Sequence, residues 1–427
     1  MDIESGYIER SAGAAIEGAF REFPVVVVVG PRQSGKTTLL RRMYPQLRYV
    51  SLDAPDLQAV ALADPRGFLE RLPAPAILDE IQRAPELLTY IKERVDSNRH
   101  LTGQFLLTGS QNLLLMQQVS ESLAGRAAVL RLLPLSYREM AGRPAAKLPW
   151  AEGEARAEID PRSASELDSA NHLPILKHDE LWKRILRGSY PEIARAPNRN
   201  ASLWHGSYIQ TYLERDVRML RQIGDLGRFQ DFLRALAARN AQLLNLSELS
   251  RDLGIAVNTA KIWLSVLEAS FQVLIVRPWF ANVGKRLVKT PKLYFMDTGT
   301  LCYLAGLKDP DHAARGPLGG ALFETAVLGE IVRSIWHRGE EPRVHFWRTS
   351  TGQEVDFLVE HGNQIVPAEV KLSATPKPQM AKSIADLRKL LDGSRFHLRP
   401  GFVIHPGEAD WPLGPDAQAL PFGKLWD

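Results

Sequence analysis

Gly30-Pro31-Arg32-Gln33-Ser34-Gly35-Lys36-Thr37 has the spacing G-x-x-x-x-G-K-[ST], and its residue types suit one task, holding nucleotide phosphates. Two glycines let the backbone curl so that its N–H groups face a bound phosphate, beside a helix N-terminus that already favours negative charge. In such a loop the lysine, Lys36, reaches the β- and γ-phosphates and the hydroxyl of Thr37 ligates Mg²⁺. Thr38 then opens the helix-like run Thr38-Leu-Leu-Arg-Arg-Met43, and five valines, Val25 to Val29, precede the loop. A valine run of that kind reads as a strand buried on both faces. Strand, glycine loop and helix is the context the motif needs, so the chain is expected to bind ATP with Mg²⁺.

A second element completes a hydrolytic site. Ala76-Ile77-Leu78-Asp79-Glu80 is an apolar strand ending in two acids. Asp79 is placed to hold Mg²⁺ through water, and Glu80 to polarise the attacking water. Downstream, Phe105-Leu-Leu-Thr108-Gly109-Ser110 puts hydroxyls at a strand end, where Ser110 or Thr108 could sense the γ-phosphate. Asp53 ends a neighbouring strand; it could order the site or cap a helix.

The C-terminal part holds another constellation. Glu354-Val-Asp356-Phe-Leu-Val-Glu360 alternates as a strand, turns at His361-Gly-Asn363, and returns as Gln364-Ile-Val-Pro-Ala-Glu369-Val-Lys371. In a hairpin Asp356 lies across from Glu369 and Lys371, which share one face because strand side chains alternate. Two carboxylates and a lysine at one point can bind Mg²⁺ and activate a water for phosphodiester attack, with Glu324 in the preceding helix a further ligand. This D…E-x-K pattern is that of restriction-endonuclease-like folds. Whether such a site cuts is a separate matter that the spacing leaves open.

The elements that must carry these residues can be placed in order. Alternating strands and helices over 1–140 predict a three-layer α/β domain with a parallel sheet. Residues 141–178 are rich in Ala, Pro, Ser and charge without periodicity, as an insertion or linker would be. A helical lid is expected over 179–240 and a helix-turn-helix over 241–305, with Gly254 in its turn. There the second helix would offer Asn258, Thr259 and Lys261 to a DNA groove, and a wing would offer Lys285, Arg286 and Lys289 to phosphate. The alternative is a module used for packing. Residues 316–427 read as a second α/β unit.

Composition fits this organisation. The 427 residues are 45% hydrophobic and 24% charged, an ordinary globular balance with room for several cores. A net charge of +4 permits a nucleic-acid partner without requiring one. The single cysteine, Cys302, excludes an intrachain disulfide framework. No basic-then-apolar leader and no apolar run of membrane-spanning length is visible, so a cytoplasmic chain without a membrane partner is expected.

With these residues in place, the chain resembles prokaryotic AAA+ ATPases, similar to the STAND-like archaeal ATPases, that end in a restriction-endonuclease-like domain of unknown function. Besides the motifs above, Leu107-Thr-Gly-Ser-Gln111, Ser122-Leu-Ala-Gly-Arg126, Leu133-Pro-Leu-Ser-Tyr137 and Gly188-Ser-Tyr-Pro191 carry the resemblance. So do Arg215-Asp216, Lys292-Leu-Tyr-Phe-Met-Asp297-Thr-Gly299, Phe323-Glu324 and Phe346-Trp-Arg348. It covers nearly the whole chain and implies ATP with Mg²⁺, a winged helix and a PD-(D/E)xK nuclease-like domain. It also implies that Arg126 serves a neighbouring subunit as an arginine finger, hence a homo-oligomer. The expected function is an ATPase coupled to binding of duplex or branched DNA, and to its cleavage or processing in repair or defence. The competing expectation is a regulatory NTPase whose C-terminal modules are non-catalytic platforms.

Overall fold

The computed structural model describes residues 6–110, 118–119, 121–150, 177–213, 226–279, 290–392 and 395–426. The valine run forms β1 (Val25–Gly30), an inner strand of a five-stranded parallel sheet with β2 (Arg48–Ser51), β3 (Ala76–Asp79), β4 (Phe105–Ser110) and β5 (Ala127–Arg131). The strand order is β2-β3-β4-β1-β5, every pair parallel. Every residue of β1 is buried, as expected for a strand covered on both faces. Alternation divides its valines between two layers. Val26 and Val28 meet Ile16 of α1 (Ala12–Glu22) and Leu39 and Leu40 of α2 (Lys36–Met43). Val25, Val27 and Val29 face the other side, in one cluster with residues of α3 (Pro55–Ala63), α4 (Pro65–Glu70) and α5 (Leu87–Ser97). In a parallel sheet all strand C-termini lie on one edge, so the residues after β1, β3 and β4 converge there.

Between the sheets run helices that include His178–Arg187, Ala201–Tyr208, Leu226–Ala238, Leu246–Asp252 and Val257–Ala269. The last two are joined through Gly254 at φ +62°, where a glycine is favoured. After them, β6 (Val273–Pro278) pairs antiparallel with β7 (Lys292–Phe295).

This hairpin does not stand apart. Arg277 and Pro278 of β6 also pair with His345 and Phe346 of β8 (Val344–Arg348), so it extends the C-terminal sheet. That sheet runs β13-β12-β10-β9-β8-β6-β7, through β9 (Glu354–His361), β10 (Gln364–Val370), β12 (Gly401–His405) and β13 (Ala417–Pro421), with β11 (His397–Leu398) beside β10. The expected β9–β10 hairpin is present, with Pro367 opposite Leu358 and Ala368 opposite Phe357. The 18-residue helix Gly319–Trp336 lies in the common core, buried along most of its length.

Candidate functional site

Gly30 ends β1 where Leu132 leaves β5. A Cβ on Gly30 would stand 2.1 Å from the Leu132 carbonyl oxygen, so no larger residue fits. Gly35, at φ +94°, turns the loop into α2. Lys36 is 5% exposed, and its ammonium donates to the carbonyls of Gly30 (3.0 Å) and Pro31 (2.9 Å), folded back on the loop it would leave for a phosphate. The Ser34 hydroxyl is buried with no hydrogen-bond partner among the described residues.

β3 delivers the acids beside this loop. Asp79 Oδ1 accepts from the Thr37 hydroxyl at 2.8 Å and from Thr108 of β4. Its Oδ2 accepts from the Tyr49 hydroxyl of β2 at 2.8 Å. Burial, then the bond to Asp79, push the Tyr49 pKa up to about 12, which keeps this hydroxyl a donor. Thr37 and Asp79 thus offer adjacent oxygens of the hard type that Mg²⁺ takes. Glu80 holds a left-handed backbone at φ +58°, rare for a side-chain-bearing residue and a form of strain that collects at active sites. Its backbone N–H donates to Thr108, and its carboxylate accepts from Gln82, which also donates to Ser110 at 3.0 Å. Lys36, Thr37, Asp79, Glu80, Thr108 and Ser110 are therefore brought to one edge of the sheet. Tyr49 and Gln82 belong with them; each sits beside a recognised motif but carries no spacing signal of its own.

Arg126 is not brought there. It precedes β5 at the opposite edge, about 16 Å away along the strand at the usual rise per residue. Its guanidinium grips Asp96 with two bonds, 2.7 and 2.9 Å, so it would have to release Asp96 to serve a neighbouring subunit. Asp53 pairs with Arg83 at 2.9 Å.

In the C-terminal sheet, Asp356, Glu369 and Lys371 do meet. Lys371 Nζ donates to Glu369 and lies 3.5 Å from Asp356 Oδ2, which also accepts from the Val370 N–H at 2.8 Å. Beside them, Glu324 accepts from Tyr294 and from Lys292 (3.3 Å), and Lys292 also pairs with Glu354. Lys292 and Tyr294 come from β7, so the hairpin helps build this cluster; both stand in a motif read only for its family resemblance. Burial, then the charge of Asp356, raise Glu369 to about pH 8 and Glu324 to about pH 7. Glu369 is 2% exposed and its Oε1 has no partner among the described residues. These features suit an added cation. Yet among the described residues no group of three or more His, Cys, Asp or Glu side chains is close enough to hold a metal ion.

On the helix Val257–Ala269, Asn258, Lys261, Ser265 and Glu268 are exposed along one side and Thr259 is half-buried. Trp263 and Leu267 face inward, with Trp263 against Phe229 and Phe232. Lys285, Arg286 and Lys289, with Arg215-Asp216 and Gln111, lie outside the described residues. Among the described residues no helix is long and apolar enough to cross a membrane.

The fold and loop define a P-loop ATPase domain, and sequence comparison agrees. Residues 22–141 match a family model described as an AAA domain, while 178–311 and 319–425 match two domains of unknown function, DUF8612 and DUF4143. The uncharacterized proteins Rv2008c of Mycobacterium tuberculosis and Mb2031c of Mycobacterium bovis are each 31% identical over 419 residues, 97% of this chain and 84% of theirs. A Haemophilus influenzae protein is 22% identical over 370 residues, 81% of this chain and 82% of its own. The chain belongs to the family of these mycobacterial proteins. Among solved structures, a Walker-type ATPase of Pyrococcus abyssi overlaps 70% of this chain and 97% of its own at TM-score 0.44 and 17% identity. That overlap is loose, and the nucleotide site rests on the AAA match and on the loop itself.

Proposed function

We propose that this chain hydrolyses ATP with Mg²⁺ and couples turnover to a DNA-directed C-terminal unit. One observation carries the reading: the Thr37 hydroxyl, Asp79 and Thr108 are hydrogen-bonded together beside a complete phosphate loop. When bound, Mg²⁺ would be held by Thr37 and Asp79 and would neutralise charge on the phosphates. Lys36 leaves the carbonyls of Gly30 and Pro31 for the β- and γ-phosphates. Glu80 takes the proton of the attacking water, with Gln82 keeping its carboxylate turned toward Ser110. In the C-terminal cluster Asp356, Glu369 and Glu324 do not form a metal-holding group as they are placed; they would have to draw together to hold a divalent cation, with Lys371 orienting the water for phosphodiester attack. The helix Val257–Ala269 presents Asn258, Thr259 and Lys261 to DNA.

A second reading makes the C-terminal unit a non-catalytic platform. It is favoured by the two lysines, Lys292 and Lys371, which already sit between the carboxylates where a cation would bind.

Steady-state ATP turnover with Mg²⁺, with and without duplex and branched DNA, tests both. Lys36→Ala should lose ATP binding, whereas Glu80→Gln should bind ATP and turn over about 10²-fold more slowly. Normal turnover by both variants would remove the ATPase assignment. DNA cleavage with Mg²⁺ or Mn²⁺, stopped by Asp356→Ala and Lys371→Ala while ATP turnover persists, would establish the nuclease. ATP turnover with no cleavage of any substrate would leave the platform reading standing.

A further inference from the structure

We propose that Arg10 is a positioning residue of the nucleotide site, which presets the phosphate loop and ties it through Glu139 and His337 to the C-terminal unit. The inference rests on the reading that the loop binds ATP. Arg10 lies just before α1, outside every motif, and is 6% exposed. A buried guanidinium needs an acceptor for each face of its fork. Here Nη1 donates to the Ser34 carbonyl at 2.7 Å, Nη2 to the Leu133 carbonyl, and Nε to Glu139 Oε1 at 3.1 Å. A Cβ on Gly35 would stand 3.4 Å from Arg10 Nη1, so the guanidinium lies directly against the turn into α2.

The bond to Ser34 has a geometric consequence. In a planar trans peptide the C=O and the following N–H point to opposite sides. Fixing the Ser34 carbonyl on Arg10 therefore turns the Gly35 N–H away from Arg10, toward the space a phosphate fills. Arg10 does for that peptide what bound phosphate would otherwise have to do, and preorganisation of this kind raises affinity by removing an ordering cost.

The other end of the link reaches a distant part of the chain. Glu139 is 1% exposed and accepts from the Ser11 N–H at 2.7 Å and the Ser136 N–H at 2.8 Å as well as from Arg10. Burial alone would raise its pKa, but Arg10, His337 and the Ser136 backbone hold it well below the usual carboxylate range. His337, at the end of the helix Gly319–Trp336, accepts from the Leu133 N–H through Nε2 at 3.2 Å. Its Nδ1 is left to carry the proton and lies 3.3 Å from Glu139 Oε1, a close polar contact outside hydrogen-bond geometry. The helix that brings Glu324 to the C-terminal cluster thus ends on the carboxylate that holds Arg10.

A second buried link, Arg138 to Glu330 of the same helix at 3.0 Å, provides the comparison. Its further hydrogen bonds run to the Tyr137 N–H and the Ala146 carbonyl, away from the phosphate loop. The test measures ATP affinity with a fluorescent ATP analogue and Mg²⁺ on the full chain, alongside melting temperature. Arg10→Met should weaken affinity by about tenfold or more, the worth of one charged hydrogen bond, and Arg10→Lys should recover part of it. His337→Phe should weaken affinity in the same direction. Glu330→Gln should lower the melting temperature yet leave ATP affinity within about twofold of wild type. Unchanged affinity in His337→Phe, or an equal loss in Glu330→Gln, overturns the proposal. If Arg10→Met does not fold, Arg10→Lys and His337→Phe decide it. Failure of the wild-type chain to bind ATP would end the ATPase reading and this inference together.

Discussion

Glu369 and Glu324 are buried carboxylates beside the charge of Asp356, and this sets a pH dependence. Both have folded pKa values, about 8 and about 7, above the ordinary 4.5. A raised value means that the folded state favours the neutral acid. The stability they contribute is therefore fully present below pH 4.5 and is lost as pH rises through 7 to 8. The pair titrates together, so the loss belongs to the cluster rather than to either residue. Melting curves across this window should show wild type losing stability relative to Glu369→Gln as pH rises, and Mn²⁺ should restore it at pH 8 in wild type only. A constant difference between the two proteins, with or without Mn²⁺, would remove the site's claim on a cation. Asp356, Glu369 and Lys371 are legible in the sequence because a hairpin and a two-residue spacing determine them locally. Arg10, Lys292 and Tyr49 are not, because their partners lie far along the chain and nothing in the local pattern announces a meeting.

Among the elements, the glycines show which backbone positions the fold cannot surrender. Gly188 follows the helix His178–Arg187 at φ +79°, and a Cβ there would stand 2.6 Å from Asp297 Oδ2. That carboxylate is already taken by the Ser189 N–H at 2.7 Å and the Thr300 N–H at 2.8 Å, so it has little freedom to retreat. Gly188→Ala should therefore destabilise the chain by about 1–3 kcal/mol in denaturant unfolding. Gly18, inside α1, is the contrast, because an added methyl there would meet nothing within 4 Å. Gly18→Ala should stabilise by about 0.5–1 kcal/mol. Equal effects at the two positions would show that close contact and backbone angle do not govern them. The valine strand and both halves of the β9–β10 hairpin are readable because alternation and turn residues are local signals. The union of β6 with β8 is not, since Arg277 and His345 pair across a long stretch of sequence and a strand's edge carries no mark of its partner. For the same reason the expected division near residue 305 does not coincide with a break in the sheet.

At the scale of the molecule, the ATPase domain and the C-terminal unit are joined by buried links at Glu139–His337 and Arg138–Glu330 and by a surface pair, Arg131–Glu341. Such a joint can pass a conformational change either way, and coupling of that kind is reciprocal. If DNA is the partner, it should alter ATP affinity, and ATP should alter DNA affinity by the same factor. The charge available for DNA is modest: a net +4 for the whole chain, and Lys261 as the cation on the exposed side of its helix. With Lys285, Arg286 and Lys289 on phosphate, three contacts would give a slope of log affinity against log salt of about −3 on duplex DNA. Lys285→Ala should make that slope shallower by about one and weaken all duplex sequences alike, since a lysine on phosphate reads charge rather than base identity. Titrations of single-stranded, duplex and branched DNA at several salt concentrations would measure it. Binding that ignores salt, or no binding even at low salt, would remove DNA as the partner and leave the C-terminal unit to act on something other than a phosphate backbone.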